Sequence, residues 1–181
     1  MNLPNLISLA RLLSVPLTVW LVLIGQHTLA FWLFVAAGIS DAVDGYIAKH
    51  FNARSELGGY LDPIADKVLL VSVYVTLGYR GELDSWLVIL VVSRDILIVG
   101  GSLLTMVLTD KFVIAPLVVS KINTAAQIAL AGLVLAQLGL GFSLAVPVTA
   151  LVYVVAATTS VSGAAYLVAW WRRIVTSEEG A

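Results

Sequence analysis

The chain has 181 residues, of which 60% are hydrophobic and 12% charged, with a mean hydropathy of +1.01. A soluble domain is about half apolar and a quarter charged, so this composition asks for an apolar solvent and points to the bilayer. With no cysteine, disulfides, zinc thiolates and thiol nucleophiles are excluded, and a net charge of −1 gives no global attraction to nucleic acid.

Crossing the hydrocarbon core takes about 20 helical residues. Six stretches meet that length: about 6–25, 28–49, 62–79, 85–108, 119–139 and 144–171. Runs such as 86–92 are apolar throughout, without the alternation of a membrane β-barrel. The first stretch lacks a basic n-region and a convincing cleavage site and carries Arg11 among apolar residues, so it reads as a retained helix. The second ends on Asp41 and Asp44, the third opens on Asp62 and Asp66, and the fourth carries Arg94 and Asp95 near its middle. The fifth opens on Ser120, Lys121 and Asn123; the sixth contains Thr158, Thr159, Ser160 and Ser162. Lysine and arginine set the orientation. With both termini cytoplasmic, Lys49, Arg54, Lys67, Lys111, Lys121, Arg172 and Arg173 lie inside, and only Arg80 lies in an outer loop. The expectation is an all-α integral membrane protein of six transmembrane helices forming a single domain over 1–181.

Asp41, Asp44, Gly45 and Ala48 follow the i, i+3, i+4, i+7 spacing of one helix face, and Asp62 and Asp66 are one turn apart on the next helix. A short connection makes those helices neighbours, so four carboxylates are expected to converge where charge is poorly solvated. They would repel or take up protons unless a cation joined them. Oxygen ligands suit Mg²⁺ or Mn²⁺. Simpler roles stay open: Asp62 before Pro63 as a helix N-cap, Arg11 snorkelling to the interface, Arg94–Asp95 as a structural pair. A cation transporter is a different class of reading. It would need polar positions continuing outward, whereas 29–35 and 69–79 hold no acid or base.

The spacing Asp41, Asp44, Gly45, Ala48, Lys49, eight residues, Gly58, Asp62, Asp66 resembles the signature of the CDP-alcohol phosphotransferases, D-x-x-D-G-x-x-A-R followed by G-x-x-x-D-x-x-x-D. Lys49 is the departure, standing where the family has arginine. Arginine grips phosphate bidentately and lysine acts as a point charge. The resemblance implies a binuclear Mg²⁺ or Mn²⁺ site held by Asp41, Asp44, Asp62 and Asp66, with Asp66 also as general base. It implies CDP binding by Asp41, Asp44, Gly45, Ala48, Lys49 and Gly58. The reaction expected of it is attack by an acceptor hydroxyl on the lipid-side phosphorus of a CDP-lipid, with CMP leaving.

Within the family, the Asn2…Arg11 start resembles that of both the phosphatidylglycerophosphate synthases and the CDP-using cardiolipin synthases. Ser93-Arg94-Asp95, the Ser120-Lys121-x-Asn123-Thr124 opening and the Thr158–Ser162 patch look more like the CMP-forming cardiolipin synthases than like the phosphatidylglycerophosphate synthases. This implies CDP-diacylglycerol and phosphatidylglycerol as substrates, with glycerol 3-phosphate as the alternative acceptor. Asn5, Arg11, Arg54, Arg94, Asp95, Lys121 and Asn123 are then the candidates for acceptor or lipid-phosphate binding. Family likeness further suggests a homodimer. With no transit peptide ahead of the first helix, the bacterial cytoplasmic membrane is the expected location and the mitochondrial inner membrane the alternative.

Overall fold

The computed structural model describes the backbone of residues 3–50, 56–109 and 118–178 and the side chains of 7–41, 43, 65–101 and 118–170. Six helices account for nearly all of it: α1 Leu3–Leu23, α2 His27–His50, α3 Glu56–Tyr79, α4 Ser85–Thr109, α5 Val118–Leu140 and α6 Ala145–Glu178. Each has 21 to 34 residues and so exceeds the length of the hydrocarbon core. Among the described residues, Val118–Leu140 and Ala145–Trp170 are long and apolar enough to cross a membrane by composition alone, and Ile7–Leu23 is a shorter apolar run.

Most boundaries lie within three residues of expectation, and two differ. Helix α3 starts at Glu56, six residues before the Asp62-Pro63 pair, so Asp62 lies within the helix and is not its N-cap. An acidic first residue suits the positive end of the helix dipole. Helix α6 runs past the apolar stretch to Glu178, because nothing in Arg172-Arg173 breaks a helix where the hydrophobic pattern stops.

Two of the turns are closed by glycine in the left-handed region. Gly25 has φ 77°, and the amides of Gly25 and Gln26 donate to the carbonyls of Val22 and Leu21. Gly81 has φ 76°, with Gly81 and Glu82 donating to Gly78 and Leu77 in the same pattern. Both are Schellman closures, which satisfy the last carbonyls of α1 and α3 and reverse the chain tightly.

The helices form a ring, in which α1 packs on α3, α3 on α4, α4 on α6, α6 on α5, α5 on α2 and α2 on α1, with α3 also reaching α5 across it. Helix α3 is therefore central. Its Val73, Tyr74 and Leu77 are fully buried, together with Leu87 of α4 and Leu130 and Leu135 of α5. The Tyr74 hydroxyl donates to the Gln127 carbonyl at 3.0 Å and ties α3 to α5. At one end of the ring α2 and α5 nearly touch backbone to backbone. The Thr28 hydroxyl donates to the Gly139 carbonyl at 2.6 Å, and a Cβ on Gly139 would lie 2.8 Å from the His27 backbone.

Polarity is distributed against the rule for soluble proteins. Arg11, Arg94, Asp95, Asn123, Gln127, Thr159 and Ser162 are buried, while Leu13, Trp20, Trp32, Trp86, Ile89, Val146 and Tyr153 are exposed. An interior that holds polar groups inside an apolar exterior fits a hydrocarbon solvent. Trp20, Trp32, Tyr79 and Trp86 fall near the end of the ring where α1 meets α2 and α3 meets α4, as an interfacial aromatic belt would.

Candidate functional site

The contacts of α1 with both α2 and α3 bring three charged side chains together. Arg11 is 3% exposed. Its Nη1 donates to Asp41 Oδ1 of α2 at 2.8 Å and also to Asp66 Oδ1 of α3. One guanidinium nitrogen thus serves two carboxylates from different helices. Both acids are roughly half-exposed. Arg11 was expected near lipid phosphate; in this arrangement its described partners are the two acids.

Asn5, Asp44, Gly45, Ala48, Lys49, Arg54, Gly58 and Asp62 lie outside the described side chains. Among the described residues no group of three or more His, Asp or Glu side chains comes together as a metal cage. Asp41 and Asp66 do approach a common cationic centre, and they offer only oxygen. Such a donor pair fits a hard divalent ion and does not fit a soft one.

A cavity of about 500 Å³ opens beside these acids. Arg11, Asp41, Asp66, Lys67 and Thr124 form its polar head. Phe34, Gly38, Leu70, Ile128 and Gly132 carry its wall along α2, α3 and α5. Because Phe34 precedes Asp41 by seven helical residues, the wall runs about 10 Å along α2 from the acids. Charge at one end and an apolar trough behind it suit an amphiphile whose reacting group is its head.

Arg94 and Asp95 stand in a second, deeper network. Arg94 Nη1 donates to Asp95 Oδ1 at 2.7 Å, its Nε and Nη2 donate to Ser162 Oγ at 3.2 and 2.6 Å, and Nη2 also reaches Ser120 Oγ at 2.6 Å. Lys67 Nζ donates to both Asp95 oxygens, each at 2.9 Å. Helices α3, α4, α5 and α6 all contribute. Asn123 is fully buried, with Oδ1 accepting from Thr158 and Thr159 at 2.8 and 2.9 Å, so it faces α6. Lys121 is exposed on α5.

The sequence places Lys67 among the cytoplasmic, site-side cations but gives it no partner. Adjacent helical residues point about 100° apart, so a face drawn through Asp62 and Asp66 leaves Lys67 off it. The signal available was Asp95, an acid near the middle of the neighbouring apolar helix, which needs a partner in lipid.

The sequence pattern of the CDP-alcohol phosphatidyltransferase family matches residues 1–175. Over 92% of its length the chain is 35% identical to a protein of Schizosaccharomyces pombe named cardiolipin synthase (CMP-forming)/mitochondrial hydrolase fusion protein, covering 31% of that protein. It is 34% identical, again over 92% of its length, to a chloroplastic CDP-diacylglycerol–glycerol-3-phosphate 3-phosphatidyltransferase 1 of Oryza sativa subsp. japonica, covering 56% of it. Over 71% of its length it is 32% identical to the cardiolipin synthase (CMP-forming) of Homo sapiens, covering 48% of that protein. The chain thus spans from a little under a third to a little over half of these relatives. Transferases that generally depend on a divalent metal ion make up the family. With nearly all of its length matched, this chain belongs to the CDP-alcohol phosphatidyltransferase family.

Proposed function

We propose that the chain is a membrane-embedded, metal-dependent cardiolipin synthase of the CMP-forming type. It transfers the phosphatidyl group of CDP-diacylglycerol to phosphatidylglycerol. The observation that carries this reading is the convergence of Asp41 and Asp66 at the charged head of an apolar cavity. Support also comes from relatives named as cardiolipin synthases in organisms as distant as Schizosaccharomyces pombe and Homo sapiens. The proposed topology is six spans with both termini cytoplasmic, supported by the exposed apolar exterior and the lysine and arginine bias.

Asp41 and Asp66, with Asp44 and Asp62 from the same two helices, are the residues that would hold the divalent ion. When bound, the ion neutralises pyrophosphate charge and the charge developing on departing CMP. The residues do the rest. Asp66 accepts the proton of the acceptor hydroxyl as that oxygen forms its bond to the lipid-side phosphorus and the bond from phosphorus to the CMP oxygen breaks. Arg11 fixes the separation of Asp41 and Asp66. The trough along α2, α3 and α5 takes acyl chain and excludes water, which would otherwise compete as nucleophile.

The rice relative named for glycerol 3-phosphate favours a second acceptor, and one experiment separates the two. Purified protein is given Mg²⁺ or Mn²⁺ and CDP-diacylglycerol, with either phosphatidylglycerol or glycerol 3-phosphate. CMP with cardiolipin from phosphatidylglycerol alone is the expected result. Product from glycerol 3-phosphate alone replaces the acceptor and keeps the chemistry, and CMP from neither overturns the reading.

A further inference from the structure

We infer that Lys67 is the cation that grips a substrate phosphate in this cavity, and that Asp95, itself pinned by Arg94, is the residue that positions it. The inference rests on the transferase reading above and adds to it a binding residue and its support.

The supply of donors is the first ground. An ammonium has three N–H donors. Two go to the Asp95 oxygens at 2.9 Å each, and the third is left where Lys67 lines the cavity. The Lys67 side chain is 30% exposed and Asp95 only 5%, so the pair has a buried foot and an accessible head. Arg94 has no such reach: it is 4% exposed and its described bonds go to Asp95, Ser120 and Ser162.

Charge is the second ground. Lys67 and Arg94 are two cations sharing one carboxylate, so this cluster keeps a net positive charge beside the cavity. The Arg11 cluster is the reverse, with one cation between two carboxylates. The cavity head is therefore polarised, anionic on the Asp41 and Asp66 side and cationic on the Lys67 side. A single surplus charge complements a phosphodiester monoanion. Because Asp95 is held by Arg94, which Ser120 of α5 and Ser162 of α6 hold in turn, the ammonium is pre-placed and loses little freedom on binding.

The phosphate can come from the acceptor or from the CDP-lipid, and separate kinetics distinguish them. The test compares Lys67→Met, Lys67→Gln, Lys67→Arg and Asp95→Asn with the wild type in mixed micelles, varying phosphatidylglycerol and CDP-diacylglycerol independently. A charge-assisted hydrogen bond is worth about tenfold or more in binding. Lys67→Met and Lys67→Gln should raise one KM by about that factor while kcat stays within about threefold. Lys67→Arg should restore most of it, and Asp95→Asn should raise the same KM by a smaller factor. A rise in the phosphatidylglycerol KM places the acceptor phosphate on Lys67, and a rise in the CDP-diacylglycerol KM places the donor phosphate there. Unchanged KM values for both, or a fall in kcat with no change in KM, overturn the inference.

Binding of short-chain phosphatidylglycerol and of short-chain CDP-diacylglycerol, followed by thermal shift, needs no turnover. If wild type binds either lipid and Lys67→Gln binds it more weakly, Lys67 stands even where the acceptor assignment fails. Equal binding by wild type and Lys67→Gln sinks it whatever the activity.

Discussion

At the scale of single residues, Arg11 joins Asp41 and Asp66 through one nitrogen, and each partner has a different expected phenotype. Asp66→Asn keeps the side-chain shape and removes the proton acceptor, so turnover should fall by about 10² to 10⁴ while CDP-lipid binding survives; normal turnover would remove Asp66 as base. Arg11→Met leaves two carboxylates without their shared partner. Breaking a fully buried pair costs about 3–5 kcal/mol, but these acids are 45% and 41% exposed, so a loss of about 1–2 kcal/mol is expected. Calorimetry in detergent should then show Mg²⁺ raising the melting temperature of Arg11→Met more than that of the wild type. Asp41 and Asp66 were both legible from spacing and type alone. Arg11 as their partner was not, because no local pattern links a residue to others 30 and 55 positions away. It read equally well as an interfacial anchor, and only the packing of α1 against α2 and α3 decides its neighbours.

At the scale of helices, the close approach of α2 and α5 makes a sharp case. The carbonyl of Gly139 accepts from Thr28, and any Cβ there meets the backbone of His27 and Thr28 at 2.8 Å. Backbone cannot rotate aside as a side-chain tip can, so Gly139→Ala should cost about 1–3 kcal/mol. Gly100→Ala is its control, since a Cβ there meets nothing within 4 Å. Comparable melting temperatures for the two variants would contradict the contact. Helix existence was legible throughout, from apolar length bounded by glycine and charge. The starts and ends were less so. The Asp62-Pro63 pair carries a strong local start signal, yet α3 begins at Glu56. Which helices touch depends on interlocking shapes and on buried polar pairs such as Lys67–Asp95, and hydropathy contains neither.

At the scale of the whole molecule, burial and exposure set the orientation test. Glu82 and Lys121 are both exposed, Glu82 beside the α3–α4 turn and Lys121 at the start of α5. Six spans with cytoplasmic termini put them on opposite faces of the membrane. The chain has no cysteine, so Glu82→Cys and Lys121→Cys each provide a single thiol. In sealed, right-side-out vesicles an impermeant maleimide should label the first and spare the second until the vesicles are opened. Labelling of both from one side would refute the topology. The lysine and arginine asymmetry was readable from the chain because it is a property of sequence and membrane alone. The cavity was not readable, since it arises where four helices fail to fill the space between them.

The Gly25 and Gly81 closures make α1–α2 and α3–α4 tight hairpins at the same end of the ring, and Gly141, with φ 71°, marks the α5–α6 turn at that end. The molecule is therefore divisible into three preassembled pairs, in which each helix owes its reversal to its own turn. A chain of this kind should tolerate being made in pieces. Two polypeptides divided within 110–117 and produced together should reassemble an active enzyme, because the break leaves every hairpin whole. The same division placed after Gly81 should not, since it severs α3 from α4 at the turn that aligns Lys67 with Asp95.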